Sequence, residues 1–374
     1  MAAPPSRFRR PPALAPLLGV AALSLLFTFT VSDTHAATRG PAGLESSGHV
    51  AVTELQGQRT LFWSVDAGDP RRRSLLGQTE HATGFGVKAQ ASPDGRYLAY
   101  LAFPPGGQEP TTDAELWVLD IGTGGQRRLG VGLDLMGAPR WTPDGSRVVA
   151  RHTAVQGAKR DFSLLAFDAA TTDGPANTLA SVAGVDWAGS VGWDRGVFTY
   201  ATIDDRGTWL HSTGEPLRLS GGIARGLSLA PEGGRLSFAE VPGPSSSGLR
   251  IMAADLSTRT LSVVPTGRGA FNPVWTPGGT LTVGGASEQP ALQGAAMTLD
   301  PAGATSRPSV LRAGPGQFLA PLEWNAGGGM LAARVLSGTA DKPGADSLAL
   351  VDGATGVARP LGFEGYAAFA GWLP

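Results

Sequence analysis

Glu80 and His81 stand side by side, an acid next to an imidazole. Such a pair can exchange protons or hold a metal ion. Asp186 and Glu323 supply two further carboxylates and Arg140 a guanidinium. Carboxylates facing each other across a guanidinium are the raw material of acid–base or metal-assisted hydrolysis. With Gln90 and Asp134, the same groups also make a polar lining that binds a ligand without reacting. The Glu80–His81 spacing is not a metal motif by itself. There is no His-Glu-x-x-His, no Gly-x-Ser-x-Gly elbow and no phosphate-cradling glycine loop ahead of a helix. Cysteine is absent, which excludes disulfides, thiolate metal sites and Cys nucleophiles. The net charge is −1, and the basic groups Arg71-Arg72-Arg73 and Arg127-Arg128 are short and isolated. A nucleic-acid binder shows a basic stripe, so nucleic acid is not an expected partner. The seven candidates are therefore read as ligand-binding rather than catalytic. Neither a metal nor a cofactor is expected.

The elements that position these residues come from a repeat. Ala91-Ser92-Pro93-Asp94-Gly95-Arg96-Tyr97-Leu98-Ala99-Tyr100 returns as Trp141-Thr142-Pro143-Asp144-Gly145-Ser146-Arg147-Val148-Val149-Ala150. It returns again as Leu229-Ala230-Pro231-Glu232-Gly233-Gly234-Arg235-Leu236-Ser237-Phe238. Weaker copies begin at Trp275 and Trp324, a degenerate one at Trp187, and the chain ends on Trp372-Leu373-Pro374. Trp193-Asp194-Arg195-Gly196 is an alternative to the copy at Trp187. The period is about 48 residues. Pro-Asp-Gly is turn chemistry: Pro presets φ, Asp bonds the local backbone and Gly accepts positive φ. Apolar runs on both sides make a hairpin, and a third and fourth strand follow, as in Glu115–Asp120 and Gln126–Leu129. With 54 Gly and 29 Pro in 374 residues, helices are disfavoured throughout.

Four strands per unit of this length is a propeller blade. The C-terminal segment 368–374 has a first strand and nothing after it. His49–Glu54, Leu61–Asp66 and Ser74–Leu76 supply the remaining three. Joined, they complete one blade and close the ring, which removes an open sheet edge. The expected fold is all-β, a propeller of seven blades, with six as the alternative, over residues 48–374. Residues 37–47 are expected to be a linker.

Residues 1–36 read as an address. Arg7, Arg9 and Arg10 precede an apolar stretch from Ala13 to Val31, and Thr34-His35-Ala36 has the small residues of a cleavage site. The expected cut lies between Ala36 and Ala37. Cleaved or retained as an anchor, this segment places the body outside the cytoplasm, in the periplasm or secreted.

The run Ser-Pro-Asp-Gly-Arg-x-Leu-Ala-Tyr over 92–100, followed by Leu-Trp-Val-Leu-Asp over 116–120, resembles the WD40-like repeats of TolB-type β-propellers. The resemblance implies the blade fold along residues 48–374. It says little about function, because propellers host many activities. TolB carries an α/β domain ahead of its propeller. Only Ala37 to about Ser47 separates leader from first strand here, so a stand-alone propeller is expected. The expected function is a non-catalytic scaffold, monomeric, that binds a protein or peptide partner at the channel mouth. The alternative is a metal-dependent hydrolase or lactonase at that mouth. The residues just before each anchor, among them Gln90, Arg140, Asp186 and Glu323, are expected near the mouth. Asp134, Glu80, His81, Arg225, Arg268 and Asn272 are expected in the loops that enter it. The recurring Trp141, Trp275, Trp324 and Trp372 read as packing between blades rather than a sugar platform. Asp204-Asp205-Arg206-Gly207-Thr208-Trp209 faintly resembles a sialidase Asp-box, with the wrong spacing, and reads as an ordinary turn.

Overall fold

The computed structural model describes residues 48–156, 159–241, 249–266, 269–285, 294–301, 309–312, 314, 316–339 and 342–374. The expected leader and linker (1–47) and Arg268 lie outside the described residues. Among the described residues all regular structure is strand. None of them forms a helix long and apolar enough to cross a membrane.

The strands pair into seven antiparallel sheets of four. The count is therefore seven blades, and neighbouring sheets touch in sequence around a closed ring. Blade one is shared by the two ends of the propeller. Its inner strand is Tyr366–Leu373, followed outward by His49–Gln56, Arg59–Asp66 and Arg73–Glu80. The register pairs His49 with Leu373 and Leu55 with Tyr366. The other inner strands are Lys88–Ala91, Arg140–Trp141, Trp187–Asp194, Ile223–Leu229, Phe271–Trp275 and Gln317–Trp324, in blades two to seven.

The Pro-Asp-Gly turns work as their chemistry requires. In blade three, Asp144 accepts from the Ser146 amide at 3.0 Å and the Thr142 hydroxyl at 2.5 Å, and the Gly145 amide donates to the Thr142 carbonyl at 2.9 Å. Hydrogen bonding, led by Thr142, holds the Asp144 carboxyl below its ordinary value. These aspartates are turn formers. In blade four the turn falls at Asp194–Val197, not near Gly189. Arg195 and Gly196 both have positive φ (48° and 82°), the signature of a tight two-residue hairpin turn. Of the two candidate copies in this blade, the one at Trp193 is the hairpin turn.

The core lies between blades rather than within them. One cluster joins Leu101 and Leu116 of blade two to Trp141 and Val148 of blade three. Another joins Val50 and Val65 of blade one to Leu322, Leu348 and Leu350 of blade seven. The repeated tryptophans pin these seams. Trp141 Nε1 donates to the Gln90 carbonyl at 3.0 Å and Trp275 Nε1 to the Ser228 carbonyl at 2.9 Å. Trp324 Nε1 donates to Thr282 Oγ1 at 2.9 Å. Each bond ties one blade to the preceding one, so the packing role expected for these rings holds. The Asp204 turn is likewise structural: its carboxylate accepts from the Arg206 amide and from Trp209 Nε1.

Candidate functional site

Five of the seven inner-strand pairings carry a β-bulge or register shift just before the same position. It falls before Gly192, Ser228, Val274, Glu323 and Gly371. A bulge bends the strand and re-aims the next side chain. With Gln90 and Arg140 in the short inner strands of blades two and three, these seven residues form one level around the axis.

Two of them sense each other across it. Arg140 belongs to blade three and Glu323 to blade seven, blades that do not adjoin. Their electrostatic coupling therefore runs through the channel. Burial raises the Glu323 carboxyl to about 8, against the pull of the Arg140 guanidinium. Burial lowers Arg140 to about 10, opposed by Glu323. At neutral pH the pair is thus a cationic guanidinium near a largely protonated carboxyl. Arg140 is only 5% exposed, whereas Glu323 keeps partial access to solvent although protein surrounds it. Gln90 belongs to the same level and is 8% exposed; its side-chain carbonyl accepts from the Trp141 amide at 3.2 Å.

The remaining candidates are not brought to this level. His81 is fully buried; its Nδ1 donates to the Ala82 carbonyl at 3.0 Å, and its Nε2 hydrogen-bonds with the Thr60 hydroxyl at 2.9 Å. Both ring nitrogens are thus engaged, and a carbonyl can only accept, so Nδ1 carries a proton. Glu80 is exposed at the end of the outermost strand of blade one, opposite Arg59 in register. Asp134 is buried in an ion pair with Arg151 at 2.8 Å and also accepts from Thr153 Oγ1 at 2.6 Å and the Met136 amide at 2.8 Å. Arg151 donates onward to the Ala188 carbonyl of blade four at 2.7 Å and lies over the Trp187 ring. Asp134 thus locks two blade seams. Asp186 is exposed just before the inner strand of blade four, and its amide donates to the Ile203 carbonyl. The level position of that blade is Gly192 instead, because the turn lies further along than the Trp187 copy implies. Of the loop residues, Arg225 and Asn272 lie on the inner strands of blades five and six.

Sequence reading passed over Lys88. It lies two residues before Gln90 on the inner strand of blade two, and alternation places both on one face of that strand. Burial, helped by the Arg334 charge, lowers its ammonium to about 8. The available signal was the rarity of lysine, which occurs only at 88, 159 and 342. Among the described residues no group of three or more His, Asp or Glu side chains converges as a metal site would require.

Fold and site together define a seven-bladed β-propeller with a polar level across its channel. No family model and no curated protein matches the chain. Solved structures share its fold. Oligogalacturonate lyase in complex with manganese matches with a TM-score of 0.54 at 12% identity, over 79% of this chain and 85% of that one. The β-propeller domain of the trilobed protease from Pyrococcus furiosus matches at 0.51 and 13% identity, over 85% of this chain and 99% of that one. TolB from Acinetobacter baumannii matches at 0.46 and 19% identity, over 69% of this chain, and the chain spans 62% of that protein's length. At such identities the likeness is one of fold.

Proposed function

We propose that the protein is an exported, non-catalytic propeller scaffold that holds a protein or peptide partner at the mouth of its channel. The observation that carries this reading is how the polar candidates are used. His81 and Asp134 lie in bonds that hold the fold away from the channel, while Arg140 and Glu323 couple across it from blades that do not adjoin. Export rests on the leader signature of residues 1–36. A rigid ring whose loops vary from blade to blade suits binding, since loops on a fixed scaffold carry recognition.

One observation favours the second reading, a hydrolase at the channel. Glu323 is a carboxyl held protonated near neutrality, which is the state a general acid requires. It has one carboxyl where the lactonase reading needs several to converge.

The test is crosslinking in cells followed by capture of the mature protein from envelope and secreted fractions. A partner that is captured reproducibly, and lost in Arg140→Glu and Glu323→Lys, supports the scaffold. Absence of any such partner, together with ester or lactone hydrolysis that disappears in Glu323→Gln, would replace it with the enzyme.

A further inference from the structure

The chain holds three lysines, and of these Lys88 lies on an inner strand, Lys88–Ala91 of blade two. The strands packed directly against it are Tyr97–Ala102, Tyr366–Leu373 and Arg140–Trp141. None of the three, nor Lys88–Ala91 itself, contains an aspartate or a glutamate. Their titratable groups are Tyr97, Tyr100, Tyr366 and Arg140. Tyr97 packs on Trp141 and Tyr100 on Phe62, with ring centroids 6.3 and 4.8 Å apart. Tyr366 Oη accepts from Arg334 of blade seven at 2.7 Å. Arg334 lies within electrostatic reach of Lys88, and the carboxylate beside it, Asp346, is already committed to Arg334 at 2.6 Å. Lys88 is half-buried, and its ammonium makes no hydrogen bond or ion pair among the described residues.

An ammonium enclosed without a carboxylate is disfavoured relative to the neutral amine. Burial, with Arg334 adding to it, accordingly brings Lys88 down to about 8, so a sizeable fraction is free amine near neutrality. A desolvated lysine beside another cation is the setting in which an amine attacks a carbonyl carbon. We infer that Lys88 is a covalent capture site for a small aldehyde within the ring. The unprotonated Nζ adds to the carbonyl carbon, and one amine proton passes to the carbonyl oxygen, giving a carbinolamine. That oxygen then leaves as water with the second amine proton, and a C=N bond remains. No oxidant or reductant is consumed. An imine is a weaker base than its parent amine, so condensation removes the charge that the site disfavours. Half-burial restricts the site to small carbonyl compounds. Capture at Lys88 stands independently of the scaffold reading.

Reductive alkylation of the folded protein tests it. Propionaldehyde and cyanoborohydride are added at about pH 7, and peptide mass spectrometry follows the adduct at Lys88, Lys159 and Lys342. Lys88 is expected to be alkylated about tenfold or more faster than either of the others, since each unit of lowered pKa multiplies the free amine about tenfold. The advantage is expected to shrink as pH rises toward about 10, and to vanish in guanidinium chloride, where the fold is gone. A dextran carrying aldehyde groups is too large to enter the ring and is expected to spare Lys88. Equal or slower alkylation of Lys88 by propionaldehyde, in protein shown by its melting curve to be folded, overturns capture. A Lys88 advantage that survives the denaturant overturns it too, because the local sequence would then be the cause. If dextran aldehyde reaches Lys88 as fast as propionaldehyde does, the amine is an open surface group and the proposed enclosure is wrong.

Discussion

Glu323 shows how a single residue reports on its surroundings. Its carboxyl is raised from 4.5 in the unfolded chain to about 8 in the folded one, because burial disfavours the ionised form more than Arg140 favours it. Between those values the folded chain holds a proton that the unfolded chain has released. Stability contributed this way is complete below the unfolded value and lost as pH rises through about 8. Lys88 acts in the opposite sense and at higher pH. Its folded value is depressed to about 8 from 10.5, so stability is regained as pH climbs between those two. Glu323→Gln is therefore expected to flatten the decline between about pH 5 and about pH 8, an effect of up to about 4 kcal/mol at about 1.4 kcal/mol per pH unit. Melting temperatures of the two proteins across that range check it. Curves that stay parallel throughout would show that the carboxyl is not shifted by its site.

At the scale of the element, the inner strands are bent by bulges where they approach the axis. Gly371 occupies the level position in blade one with φ of 136°. A Cβ there would meet Ala91 Cβ at 2.8 Å and the Ala91 amide nitrogen at 3.3 Å, both parts of the adjoining blade that cannot swing away. Gly192, at the same position in blade four, also has a positive φ, 149°. Neither glycine is there for want of a side chain to line the channel; the backbone conformation excludes other residues. Gly371→Ala is expected to cost about 2–4 kcal/mol through combined strain and crowding. Chemical denaturation measures this, and a loss below about 0.5 kcal/mol would mean that the seam between blades one and two yields easily.

For the whole molecule, the clasp in blade one decides whether the ring holds. The strand Tyr366–Leu373 pairs with His49–Gln56, and Trp372 and Phe369 pack in the core shared with blade seven. Pro374 sits against the turn of blade two: a Cβ on Gly95 would fall 2.0 Å from Pro374 Cδ. The strand thus touches blades seven, one and two. Removing residues 366–374 would open an edge on His49–Gln56 and expose the seam on both sides. The shortened protein is expected to aggregate or to melt at least about 10 °C lower, seen by light scattering and calorimetry. A truncated protein that stays monodisperse and melts at the same temperature would show that closure contributes little.

What the sequence by itself determined is the part of the fold that rests on local chemistry. Pro-Asp-Gly builds a hairpin turn from its own side chains, so Pro93-Asp94-Gly95 and Pro143-Asp144-Gly145 were readable without neighbours. Recurrence of that turn implied the blade, and the incomplete units at the two ends implied the clasp that the register of Val50 with Trp372 displays. The tryptophans recurring at one repeat position were legible as packing for the same reason. Only the tertiary structure could separate His81 and Asp134 from Arg140 and Glu323. Their bond partners lie far along the chain or on another blade: Thr60 for His81, Arg151 for Asp134, blade three facing blade seven for the channel pair. It also moved the turn of blade four to Arg195-Gly196, because a two-residue turn of positive φ needs no Pro-Asp-Gly. The bulges that aim the level residues leave no mark in the sequence. A bulge is a mismatch in residue count between two paired strands, so it exists only once their register is set.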